Sequence, residues 1–226
     1  MKKITLLFTL LFYTIGFTQN DEFKKPNYSE IKKKIVQKSS NLYYQELFKK
    51  YNQADSTLSL EEKRVLYYGF IYNSKYSPYS SREFTDKISA ILKKDEITVE
   101  EYKNIITYAD ALIKENPFNI NALNYKLYAY NKLDDSSSAI KTSIQLQIIT
   151  DAILSSGDGL AKETAYVVII PSHEHSVLNT LGYKFGDKKP VDEYDYFSLK
   201  ENQQNIEGLY FDASASANYM SNLFKK

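Results

Sequence analysis

The sequence has no cysteine, no tryptophan and only two histidines among its 226 residues. The first absence removes thiol nucleophiles, disulfides and thiolate metal sites together. It also removes a lipoprotein anchor, since acylation after export requires a cysteine at the cleavage point. With His173 and His175 as the only imidazoles, a Ser-His-Asp triad would have to draw on one of that near-adjacent pair. Motifs are missing as well. There is no G-x-S-x-G nucleophile elbow and no H-E-x-x-H zinc spacing. The run from Gly157 to Thr164 fails the phosphate-loop spacing, and it follows a helical stretch and precedes a strand-like one. A phosphate loop does the reverse. An excess of either charge is lacking too: 29 basic against 28 acidic residues give a formal net charge of +1. That leaves no electrostatic footprint for nucleic acid. Lys24-Lys25 and Lys32-Lys33-Lys34 are local clusters, the second a solvated face on a helix.

Hydrophobic residues make up 43% and charged residues 25%. This is the balance of a globular chain long enough to bury a core without disulfide staples. There are 21 tyrosines and 12 phenylalanines. Two causes suit this: an aromatic binding surface, since Tyr supplies contact area at low entropic cost, or an AT-rich coding sequence, which enriches Lys, Asn, Ile and Tyr together. Tyr also packs well inside helical arrays with its hydroxyl at the rim.

Met1-Lys2-Lys3 is a short positive segment, and Ile4 to Phe17 an uncharged, mostly apolar run. Gly16-Phe17-Thr18 places small residues at the −3 and −1 positions before Gln19. This three-part pattern reads as a signal peptide over residues 1–18. It predicts an exported mature chain, periplasmic or secreted. The run is short for a transmembrane helix, and Asn20, Asp21 and Glu22 follow at once. Nothing later reaches a spanning length, so no membrane span is expected in the mature chain.

From residue 19 to 155 apolar residues recur at helical spacing. Tyr28, Ile31 and Ile35 make a first stripe, and Leu42, Tyr43, Leu47, Phe48 and Tyr51 a second. Leu60 to Tyr72 is apolar on most sides and predicts a deeply packed helix. Ser59 with Glu62, and Thr98 with Glu101, read as capping boxes opening two helices. The stretch from Asn73 to Ser81 reads as a loop. The pairs Glu61-Glu62 and Glu100-Glu101 fit helix-dipole compensation better than an acid-base pair. Asn116-Pro117-Phe118-Asn119 resembles the junction turn of the tetratricopeptide repeat. Ala122, Leu123 and Tyr130 match its first helix, Lys132-Leu133 with Asp135 its internal turn, and Ala139 and Ile140 its second helix. Leu127 stands where that repeat usually has Gly, and Ser143 where it has a large apolar residue. One degenerate repeat is short of the three a stable array needs.

Residues 156–226 differ. Gly157-Asp158-Gly159 marks a turn or linker. Thr164 to Ile170 is a β-branched run ended by Pro171 and predicts a strand covered on both faces. Ser172 is expected to cap a short helix that Gly182 ends. Val191 to Leu199 and Ile206 to Asp212 predict two further strands joined by a polar hairpin loop. Tyr219, Leu223 and Phe224 read as a last helical turn or a docked tail. The fold class expected is therefore α+β, mainly α: antiparallel tetratricopeptide-like helical hairpins, then a small β-α-β-β element packed on them. Across the mature chain the layout resembles an uncharacterised secreted bacterial family, domain of unknown function 4919. The residues that carry the likeness are Gly157-Asp158-Gly159, Thr164-Ala165, the strand to Ile170, His173-Glu174, Leu178, Leu181-Gly182, Tyr194-Asp195-Tyr196 and Tyr210-Phe211. The resemblance implies this architecture and export, and no activity.

The segment His173-Glu174-His175 is the strongest local candidate for chemistry. In an extended segment the two imidazoles point the same way and can share a metal. In a helix they diverge by about 200° and simply decorate its first turn. Asp158, Asp187 and Asp192 are the nearest further carboxylates in sequence. The candidate ligand-binding residues are thus His173, Glu174, His175 and Asp158, with no catalytic residue, no cofactor and no defined metal implied. The leading expectation is a non-enzymatic module that binds a protein or peptide. The alternative is a ligand- or metal-binding protein or hydrolase centred on His173-Glu174-His175.

Overall fold

The computed structural model describes residues 23–79 and 81–223. The signal segment read over residues 1–18, and Phe224, lie outside the described residues. The described chain is mainly helical with one small mixed sheet, an α+β fold.

Seven helices come first: α1 (Tyr28–Lys34), α2 (Tyr44–Asn52), α3 (Leu60–Gly69), α4 (Glu83–Leu92), α5 (Val99–Glu115), α6 (Ile120–Lys132) and α7 (Ser136–Leu154). Their starts are written in side chains that accept the orphan N–H groups of a first turn. Asn27, Asn119 and Asp135 cap α1, α6 and α7, and full capping boxes open α3 at Ser59/Glu62 and α5 at Thr98/Glu101. A single 3₁₀ turn, Phe70–Tyr72, prolongs α3. Every residue from Arg64 to Phe70 is buried, so α3 is the axis of the helical body.

One apolar cluster runs from Ile31, Leu47 and Tyr51 through α3 and α7 to Val167, Phe197 and Phe211 of the sheet. A smaller one joins α4, α5 and α6, where Ala109, Ala122 and Ala129 let the helices close on Ile88 and Ile105.

After α7 come β1 (Tyr166–Val167), α8 (Ser172–Thr180), β2 (Phe185–Val191), β3 (Tyr194–Leu199), β4 (Gly208–Asp212) and α9 (Ser214–Leu223). The sheet order is β1-β4-β3-β2, with β1 parallel to β4 and the other pairs antiparallel. Three expectations are corrected here. The closing element has four strands: the expected strand at 191–199 takes in the last residue of β2, the turn at Asp192 and Glu193, and all of β3, and the rest of β2 was not foreseen. Gly186, Asp187, Lys188, Lys189 and Pro190 carry no apolar alternation in the sequence, yet an edge strand tolerates a proline and exposed charge. The expected strand at 164–170 pairs over only two residues, although Ala165 to Ile170 is wholly buried. Finally, Ser172 does not cap α8: Pro171 holds the cap position, and no side chain bonds there. Gly182 does end α8, at φ +76°, with Gly182 N–H donating to Asn179 O (3.1 Å) and Tyr183 N–H to Leu178 O (3.0 Å), the paired bonds of a Schellman cap.

The loop at Gly157–Thr164 is no free linker. Gly159 N–H donates to Thr164 O and its carbonyl accepts from Tyr210 of β4, both at 2.8 Å. Its φ of +73° puts it where a side chain is strained.

Candidate functional site

Because Ser172 to Thr180 is helical, consecutive side chains of the His-Glu-His segment point to different neighbours. His173 is fully buried and faces the helical body. Its Nε2 lies 2.8 Å from Phe118 O and its Nδ1 2.8 Å from the Tyr67 hydroxyl. A carbonyl can only accept, so Nε2 carries the proton and Nδ1 accepts from Tyr67 O–H. Tyr67 Oη in turn accepts from Ile169 N–H at 3.2 Å. Both ring nitrogens are thus used by the fold, and burial holds the imidazole down at about 3. His173 is a neutral bridge between α3, the α5–α6 junction and the buried strand.

His175 is exposed and lies edge-on against Phe185 and Phe197, at centroid distances of 5.2 and 5.1 Å. The two imidazoles therefore do not share a site. Asp158 is in neither neighbourhood. It accepts from Leu160 N–H within its own turn (3.0 Å) and adds to the upward push that burial gives the Tyr166 hydroxyl on β1, at the opposite edge of the sheet from β2. Asp187 is exposed, and Asp192 pairs with Lys162. Among the described residues no three His, Asp or Glu side chains are grouped to hold a metal ion. No described helix is long and apolar enough to cross a membrane.

Glu174 is different. Its side chain is only 1% exposed and meets the hairpin that the sequence reading missed. Lys188 on β2 donates to Glu174 Oε2 at 2.7 Å and reaches Asp195 of β3 at 2.9 Å. The register explains the meeting. Lys188 pairs with Phe197 and Pro190 with Asp195, so Lys188 and Asp195 are diagonal neighbours on one face of the hairpin. The other oxygen, Oε1, is buried without a partner among the described residues. Burial pushes the Glu174 carboxyl up to about 8, the neighbouring Asp195 carboxyl pushes the same way, and Lys188 opposes both.

Lys188 and Asp195 also line a cavity of about 360 Å³ with Glu193, and with Ser214 and Ser216 of α9. A second cavity, about 240 Å³, is lined by Asn116, Asn119, Asn121, Tyr125 and Arg82 of the helical body. Tyr79 and Pro171 belong to the walls of both. A groove thus follows the seam between helices and sheet, with Tyr79, 56% exposed, on the ridge between its halves. A larger hollow, about 540 Å³, lies between Phe23, Leu60 and Leu154. It offers less chemistry, because Arg64 in its wall is already bonded to Ser155 O (3.0 Å) and to the Lys24 carbonyl.

Of the candidate residues, only Glu174 joins a cluster of charged groups beside a cavity. Asp195 stood within the Tyr194-Asp195-Tyr196 run already singled out, whereas Lys188 lay in a stretch given no element and gave no signal. No curated protein and no solved structure matches the chain. The family model described as Domain of unknown function (DUF4919) matches residues 29–221, from α1 into α9, and the chain belongs to that family.

Proposed function

We propose that this protein is an exported, non-enzymatic module that binds an extended peptide segment of a partner protein in the seam groove. The groove itself carries this reading: two adjoining hollows, one lined by amides and one by charged groups, with an exposed tyrosine between them. The amide oxygens of Asn116 and Asn119 are taken up by Phe118 N–H and Ala122 N–H, each at 3.0 Å. What those side chains can offer a ligand is their N–H₂ ends, donors suited to the backbone carbonyls of an extended chain. Tyr79 and Tyr125 add contact area at low entropic cost. The tetratricopeptide-like turn at Asn116-Pro117-Phe118-Asn119 supplies two of these amides, which ties the repeat resemblance to the groove. Export rests on the three-part pattern of residues 1–18. The alternative, a ligand- or metal-binding protein or hydrolase centred on His173-Glu174-His175, has less support, since His173 has no free nitrogen and His175 faces elsewhere.

The test places a photo-crosslinking amino acid at Tyr79, or at Ile140 as a control, 60% exposed on α7 and outside the groove. Irradiation in the native cell envelope is expected to give one dominant protein adduct from position 79 and none from position 140. Equal adducts from both positions, or none from position 79, would overturn the proposal.

A further inference from the structure

We propose that Glu174 and Asp195 hold one proton between them, and that this proton, together with Lys188, latches the β2–β3 hairpin onto α8. The geometry of one atom starts the argument. Glu174 Oε2 is satisfied by Lys188, whereas Oε1 is sealed from solvent and accepts from nothing among the described residues. An ionised carboxylate in that position would bury a charged acceptor without a donor, a costly state. A carboxylic acid puts an O–H on Oε1 and turns the orphan acceptor into a donor. Asp195 is the acceptor within reach, held by the same Lys188 ammonium at 2.9 Å. Two carboxyls that share a site do not both ionise cheaply.

The charge count agrees. With the proton present, neutral Glu174, Lys188⁺ and Asp195⁻ sum to zero. Without it the set carries one negative charge, with a single ammonium for two carboxylates. The other groups facing the cluster do not alter this. Partial desolvation and the Lys188 ammonium lower the pKa of His175 on α8, Glu193 sits in the β2–β3 turn on the cavity wall, and α9 brings the uncharged Ser214 and Ser216. The groups that act on Glu174 are Lys188 and Asp195. The upward push on the Glu174 carboxyl described above supports the same state. Since Lys188 and Asp195 also line the cavity, losing the proton loosens a wall of the groove. That last consequence alone rests on the proposed function.

The test uses the chain from Gln19 onward, ¹³C-labelled, with the Glu174 side-chain carboxyl carbon followed by NMR from pH 5 to pH 10. The wild-type midpoint is expected near 8, and about one unit or more lower in Asp195→Asn, which removes the neighbouring negative charge. Over the same interval, β2 amide exchange corrected for intrinsic rates is expected to quicken about tenfold, an opening that tracks loss of the latch. A wild-type midpoint in the ordinary carboxylate range overturns the shared proton, as does a midpoint unmoved in Asp195→Asn. A high midpoint with β2 exchange unchanged overturns the latch. No peptide enters this experiment, so its failure is distinct from failure of the groove reading.

Discussion

His173 and Glu174 are chain neighbours buried with opposite consequences for protons. In the unfolded chain the carboxyl titrates near 4.5 and the imidazole near 6.5; in the fold the first is raised to about 8 and the second lowered to about 3. The Glu174 contribution is therefore full below pH 4.5 and is lost as pH rises through the folded value. The His173 contribution is present above pH 6.5 and is lost as pH falls. Between 4.5 and 6.5 the two slopes cancel. From pH 6.5 to about 8 only the Glu174 slope remains, and stability is expected to fall by ~1.4 kcal/mol per pH unit. Urea unfolding at several pH values checks this. Glu174→Gln, which cannot ionise, is expected to remove the fall above pH 6.5. Wild-type stability that stays flat across that interval would contradict the assignment, and so would a Glu174→Gln protein that declines just as steeply.

At the scale of elements, what the sequence revealed and what it hid have separate physical causes. Helix starts were legible because Ser59, Glu62, Thr98 and Glu101 act within one turn, and local chemistry is visible in local spacing. The helix of Ser172–Thr180 was legible through Gly182, whose left-handed conformation closes it. The β2–β3 hairpin was only half legible: Lys188, Lys189 and Pro190 lie on an exposed edge, where a strand needs no apolar alternation. The candidate site inherits that gap, because Glu174 acquires its meaning only from Lys188, fourteen residues on. The segment Ala165–Ile170 was read correctly as buried, but its backbone partners were invisible. Tyr68 O–H donates to Val167 O (3.1 Å), Tyr76 O–H to Ile169 O (2.6 Å), Tyr67 Oη accepts from Ile169 N–H, and Ser156 Oγ accepts from Val167 N–H (2.8 Å). Three tyrosines some hundred residues away in sequence, with Ser156 nearby, thus do what a neighbouring strand would do. The abundance of tyrosine has a structural use beyond codon bias or an exposed binding face. Tyr67→Phe is accordingly expected to cost about 2–3 kcal/mol, since it orphans both Ile169 N–H and His173 Nδ1. Tyr28→Phe is the contrast. Its hydroxyl is buried with no partner among the described residues, so the substitution is expected to be neutral or slightly stabilising. Denaturant midpoints of the two variants decide it: similar losses in both would mean that ring packing, and not these hydroxyl bonds, sets the cost.

Across the whole molecule, the sheet is less an appendage of the helical body than a part of its interior. The main apolar cluster contains Leu66, Phe118 and Ile149 from the helices and Val168, Phe197 and Phe211 from the closing element. Tyr67, Tyr68, Tyr76 and the Phe118 carbonyl spend their polar atoms on residues after 165. Cutting the chain after residue 155 would expose the inner faces of α3 and α7, remove the partners of the Tyr67 and Tyr76 hydroxyls, and leave Tyr68 O–H only the Ala152 carbonyl. The four strands cannot compensate on their own, because a small sheet needs cover on one face at least. The smaller cluster among α4, α5 and α6 survives the cut, so residual helix is expected in the fragment. A chain of residues 19–155 is therefore predicted to keep part of its far-ultraviolet helical signal, to lose its near-ultraviolet tyrosine signal, and to unfold in urea over a broad, weakly cooperative range. The uncut chain from residue 19 onward should instead show both signals disappearing together in one steep transition. A fragment that unfolds as sharply as the intact protein would mean that the helical body carries its own complete core. The seam groove would then lie between two independent units and not within one.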